Sequence, residues 1–137
     1  TTFFDLDANA TYAAGAIRIE QTDKAGNTSV FATNGIAITT DATAPTLTIS
    51  DDKSGTTTGN VTYTFQFSES VTGFDAADVN VTAGTKGTFT AVAGTNNSKY
   101  TLVVTPPVGT EGADLGLSVG NGLTDASGNA IATTTTT

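Results

Sequence analysis

NVTYTFQFS, residues 60–68, alternates without a break: Val61, Tyr63, Phe65 and Phe67 fall at every second position, with Thr62, Thr64 and Gln66 between them. A period of two puts the four large side chains on one face of a strand and the polar ones on the other. A helix would split the same four residues between opposite sides. β-Branched and aromatic residues also suit a pleated surface better than a helix. Reading outward, the alternation recurs in PTLTIS (45–50), DVNVTAG (78–84), TFTAV (88–92), KYTLVVT (99–105), DLGLSVG (114–120) and NAIATTT (129–135). Turn-rich clusters separate them: DDKSGTTTGN (51–60), AGTKGT (83–88), AGTNNS (93–98) and PPVGTEGA (106–113). That makes seven strands with short connections, and GFDAADV (73–79) holds at most one helical turn. An antiparallel two-sheet sandwich is the economical way to bury seven such apolar faces.

The chain also repeats itself. TDKAGNTS (22–29) and TDASGNAI (124–131) place Asp23 and Asp125 102 positions apart, about the length of one small sandwich domain of roughly 100 residues. Residues 41–137 therefore read as one complete domain of a tandem array, and 1–40 as the C-terminal part of a preceding one. In that first part TTFFDLD (1–7), AIRIEQTD (16–23) and SVFATNGIAITT (29–40) read as three strands, the last two joined through the DKAGN turn. Phe3, Ile17, Ile19, Ile36 and Ile38 would then lack an opposing sheet. Either the sequence is a slice of a longer chain, or the missing strands come from another molecule by strand addition.

Charge and composition exclude several functions. Thirteen acids against five bases give a net charge of −8, so nucleic acid is not an expected partner, because phosphate binding needs clustered Lys and Arg. A divalent cation fits the balance better. With no Cys and no His, disulfides, thiolate metal sites and the usual general bases and nucleophile pairs are ruled out, and no enzyme is expected. No apolar run approaches the ~20 residues a membrane helix needs, so direct membrane insertion of this segment is not expected. No signal peptide is read at the N-terminus; an export address would lie outside these residues.

DATAPTLTISDD (41–52), YTFQFSESVTGFDAADVNVT (63–82), YTLVVTP (100–106) and TDASGNA (124–130), with the earlier IEQTDKAGNTS (19–29), resemble the tandem immunoglobulin-like repeats of giant secreted bacterial adhesins, including those of the repeats-in-toxin type. The resemblance covers essentially the whole chain. It implies a seven-stranded antiparallel immunoglobulin-like β-sandwich preceded by the last strands of a similar domain. It further implies a non-enzymatic stalk segment outside the cell or on its surface, stacked on neighbouring repeats and stiffened by calcium between them. A filament subunit, completed by strands of an adjacent subunit, is the alternative reading. A carbohydrate-binding accessory module is a third, to be recognised by exposed aromatics on one sheet.

Chain direction independently suggests where calcium would bind. If the first strand of the complete domain runs down from Asp41, one end collects Asp41, Glu69, Asp75, Asp78, the GTNNS turn, Asp125 and Asn129. Asp5, Asp7 and Asn9 in DLDANA face them from the first part. The expected Ca2+ ligands at this junction are Asp7, Asn9, Asp41, Glu69, Asp75 and Asp125, since Ca2+ takes six to eight oxygen ligands and relieves the repulsion among carboxylates. The opposite end offers Asp51, Asp52, Glu111 and Asp114. Asp and Asn in DKAGN and DASGN are equally what a hairpin turn requires, because they bond neighbouring backbone and tolerate left-handed conformations. Glu69, Asp75 or Asp78 could serve as a cap. Pro45 stiffens the start of a strand, where a missing N–H is tolerated, and Tyr12 reads as a tyrosine-corner residue.

Overall fold

The computed structural model describes residues 5–55, 57–109, 115–120 and 122–131, and the backbone of Thr134–Thr136. Phe3, Glu111 and Asp114 lie outside these residues. The chain divides into two units, Thr1–Thr43 and Ala44–Thr137. No helix occurs among the described residues.

Among its described residues the first unit has four two-residue strands: β1 (Thr11–Tyr12), β2 (Arg18–Ile19), β3 (Ala32–Thr33) and β4 (Ile38–Thr39). They pair antiparallel as β1 with β4 and β2 with β3. Residues 29–40, expected as one strand, are two, because the chain turns at Asn34–Gly35. The Asn34 side chain fixes the turn by accepting from Ile17 N at 2.9 Å and donating to Ala13 O at 2.9 Å and Ile36 O at 2.8 Å. The Tyr12 hydroxyl reaches back to Asp7, accepting from its N–H at 2.8 Å and donating to Oδ2 at 3.2 Å. Leu6, Ile17, Ile19, Ala32 and Ile38 line an open apolar groove of about 440 Å³. Ile19 remains 55% exposed and Ile36 77%, as apolar faces without an opposing sheet must be.

In the second unit the chain runs through β5 (Leu47–Asp51), β6 (Val61–Phe67), β7 (Val71–Thr72), β8 (Val79–Val81), β9 (Thr85–Ala91), β10 (Lys99–Thr105), β11 (Leu117–Val119), β12 (Thr124–Asp125) and β13 (Thr134–Thr136). One sheet has the order β5-β6-β10-β9 and another β13-β11-β8, while β12 pairs with β7. All pairings are antiparallel, and the architecture is an immunoglobulin-like β-sandwich. Among the described residues nine strands stand where seven were read, since β7 and β12 form a small ribbon of their own. β9 and β10 shift register between Leu102 and Val104, where Gly87 lies against the Val103 carbonyl in a bulge that steepens the local twist.

The core is what alternation dictates. Val61, Tyr63, Phe65 and Phe67 from β6 and Tyr100, Leu102 and Val104 from β10 are buried in one cluster with Val79, Leu117 and Val119 from the other sheet. Phe74, from the GFDAADV connection, joins them. Its ring lies 5.0–5.3 Å from those of Phe65, Phe67, Phe89 and Tyr100, edge-on to each; such pairs contribute about 0.5–1.5 kcal/mol beyond area burial. Residues 73–78 make a turn rather than a helix, and that turn delivers Phe74 to the core.

Candidate functional site: the Asp125 turn and its neighbouring carboxylates

Asp125 is the one charged side chain buried among the described residues, 4% exposed. It ends β12 and opens a five-residue turn that closes on itself. Oδ1 accepts the N–H of Ser127 at 2.8 Å and of Asn129 at 2.9 Å, and Oδ2 accepts the Asn129 side-chain amide at 2.8 Å. The backbone closes the same loop, Asp125 N donating to Asn129 O at 3.1 Å. Gly128, at φ +92°, supplies the left-handed residue that a turn this tight requires. The Asn129 amide, helped by the backbone donors, holds the Asp125 carboxyl below the usual carboxylate range against the opposing effect of burial.

One carboxylate oxygen from each of Asp41, Glu69 and Asp125 lies within 4.8 Å of the others. Asp41 belongs to the connecting segment ahead of β5, and its Oδ1 accepts the Thr43 N–H at 3.0 Å. Glu69 sits between β6 and β7, half-buried. It follows Ser68, whose hydroxyl accepts the Thr46 N–H and whose own N–H donates to Thr46 O, both at 2.9 Å. This two-way clasp fastens the start of the first strand to the residue before Glu69. Nothing in the sequence singled out Ser68, since a serine beside a glutamate carries no periodic or motif signal.

Three carboxylate oxygens this close could hold a metal ion. At Ca–O distances of 2.3–2.6 Å, two oxygens on opposite sides of one ion stand roughly 4.6–5.2 Å apart, so three oxygens within this group can share an ion. The donors are hard oxygens only. Three carboxylates supply three of the six to eight positions, leaving the rest to carbonyls and water.

Asp75, also expected as a ligand, is not one of the three carboxylates in this group. Asp75 and Asp78 are engaged with their own turn: Asp75 Oδ1 accepts from Ala77 N at 2.6 Å and Asp78 Oδ2 from Asp75 N at 2.9 Å. Lys86 tightens that turn by donating to the carbonyls of Ala76 at 2.6 Å and Val79 at 2.8 Å. In the first unit, Asn9 takes a left-handed φ of 54° and accepts from Ala42 N at 2.6 Å and Thr43 Oγ1 at 3.2 Å. Asp7 Oδ2 accepts a hydrogen bond from the Tyr12 hydroxyl, and the Asp7 carbonyl accepts from Thr40 Oγ1 at 2.6 Å. At the far end of β5, Asp51 Oδ1 accepts from Lys53 N at 2.9 Å. Asp52 Oδ1 accepts from Thr62 N at 2.7 Å, which lowers the Asp52 carboxyl's pKa, with an exposed Lys53 ion pair at 3.3 Å assisting.

The model of the bacterial Ig-like domain family matches residues 41–137. Domains of this family are typically non-enzymatic structural modules and commonly occur in extracellular or surface proteins, where they suggest a structural or extender role. Comparison with curated proteins and with solved structures returned no match. A sandwich with this strand pairing and this family match leaves one conclusion: the chain belongs to the bacterial Ig-like domain family.

Proposed function

We propose that the chain is an extender segment of a large bacterial surface adhesin, in which Ca2+ held by Asp41, Glu69 and Asp125 stiffens the connection into the sandwich. The observation that carries this reading is the convergence of three carboxylate oxygens within 4.8 Å, one of them from the connecting segment. Without a cation those charges repel, which favours a hinge. A bound divalent cation supplies the positive charge that turns repulsion into attraction. Asp125 suits the part because its turn bonds already fix it; Glu69 follows Ser68, which is bonded twice to Thr46. Small-angle scattering of the chain in millimolar calcium and in chelator tests the reading. A narrower spread of dimensions with calcium is expected, and identical profiles would count against the clamp.

The open groove on the first unit supports a second reading, a filament subunit whose first domain takes strands from a neighbouring subunit. Its apolar lining, Ile17, Ile19 and Ile38 included, is the kind of surface strand addition covers. Sedimentation over a wide concentration range separates the two, because the extender stays monomeric while the filament subunit assembles as concentration rises.

A further inference from the structure

Asn34 precedes Gly35, one of two places in the sequence where glycine follows asparagine, the other being Asn121–Gly122. Such a pair is open to intramolecular chemistry, because glycine leaves its backbone nitrogen unshielded. The Gly35 nitrogen attacks Asn34 Cγ, the Cγ–Nδ2 bond breaks, and ammonia leaves carrying the proton lost from the Gly35 nitrogen. Water then opens the cyclic imide to aspartate or isoaspartate, so the only co-reactant is solvent. In the folded first unit this step is obstructed. Nδ2 donates both its hydrogens, to Ala13 O and Ile36 O, and Oδ1 accepts from Ile17 N. The backbone is held as well, Asn34 N donating to Ile17 O at 3.3 Å and Asn34 O accepting from Gly15 N at 2.9 Å. Cγ cannot swing toward Gly35 until the turn opens.

The same contacts make the reaction one-way in its consequences. A carboxylate in place of the amide has no hydrogen to give, and it would put negative charge against the Ala13 and Ile36 carbonyls, each left without its donor. We propose that Asn34–Gly35 is a self-modifying latch of the first unit: folding protects it, opening exposes it to deamidation, and deamidation prevents reclosure.

The test is to incubate the protein at pH 8.5 and 37 °C, with and without denaturing urea, and to follow the one-dalton gain on the Asn34 peptide by mass spectrometry. Conversion is expected to be at least about tenfold slower without urea, the protection given by a closed turn, and Gly35→Ala is expected to slow it in urea. Separately, Asn34→Asp is expected to lose hydrogen-exchange protection at Ile17 and Gly15 while Phe65 and Leu102 keep theirs. Equal conversion rates with and without urea would overturn the protective part. Unchanged protection at Ile17 in Asn34→Asp would overturn the latch.

Discussion

Asn129 closes on Asp125 twice, its side-chain amide at 2.8 Å and its backbone N–H at 2.9 Å. Asn27 closes on Asp23 with the same pairs of atoms at the same two distances. The remaining turn donor matches too, Ser127 N at 2.8 Å in one and Ala25 N at 2.9 Å in the other. Thr124 bridges Ala130 as Thr22 bridges Thr28. The two hairpins are one motif in two environments, since Asp125 is buried and Asp23 exposed.

That difference predicts unequal effects of one substitution. Asp125→Ala removes a buried acceptor from part-buried N–H groups of Ser127 and Asn129, whereas Asp23→Ala leaves the equivalent groups in contact with water, which replaces the lost acceptor. Thermal unfolding of both variants is expected to show a clearly larger drop in melting temperature for Asp125→Ala. Equal drops would mean that burial plays no part.

Acid sensitivity follows from the same carboxylates. Asp23, Asp52 and Asp125 are held below the ordinary aspartate value, chiefly by Asn27, Thr62 N–H and Asn129 respectively. A folded value below the unfolded one means stability that is complete above the unfolded value of about 3.9 and is lost as pH falls through the folded values. Melting temperature is therefore expected to be insensitive to these groups near neutrality and to fall below about pH 4. A pH series of melting curves, with carbon NMR titration of the three carboxyls, checks both parts.

Phe74 lies in a connection yet meets four aromatic rings and is 5% exposed. Phe74→Ala is expected to cost about 3–5 kcal/mol, lowering the melting temperature of the second unit by roughly 15 °C or more. Phe74→Leu refills part of the space and is expected to cost less. Urea unfolding monitored by tyrosine fluorescence measures both.

Gly84 takes φ +87°, and a Cβ built there meets Thr105 O at 2.5 Å, a backbone atom that cannot swing aside. Gly73, at φ +75°, has open space in that direction. Gly84→Ala combines a left-handed conformation, about 1–2 kcal/mol, with a clash, while Gly73→Ala carries the conformational cost alone. Gly84→Ala is expected to be the more damaging in the same unfolding assay.

Period-two alternation was enough to read the sandwich, because which face Val61, Tyr63, Phe65 and Phe67 present is decided locally. It was not enough for residues 29–40, where the break at Asn34 depends on Ala13 and Ile17, partners up to 21 positions away. Phe74 went unread as core because it stands alone between turn residues, with no periodic partner to mark its face. Asp75 was expected beside Asp125; its Oδ1 accepts the N–H of Ala77 two residues on, a local bond that no alternation pattern announces. Asp41 and Glu69 could be placed at one end of the domain by counting strand directions. Their approach to within 4.8 Å of Asp125 is a matter of side-chain placement, which no pattern encodes.

The most direct test of the proposed calcium clamp is calorimetric unfolding of the intact chain in millimolar calcium and in chelator, for wild type, Glu69→Gln and Asp41→Asn. An ion that binds only the folded state, present at a hundred times its dissociation constant, adds about 2.7 kcal/mol. The account predicts a higher melting temperature for the wild-type second unit in calcium, with most of the rise lost in either variant. The same melting temperature for the wild type in calcium and in chelator would contradict it.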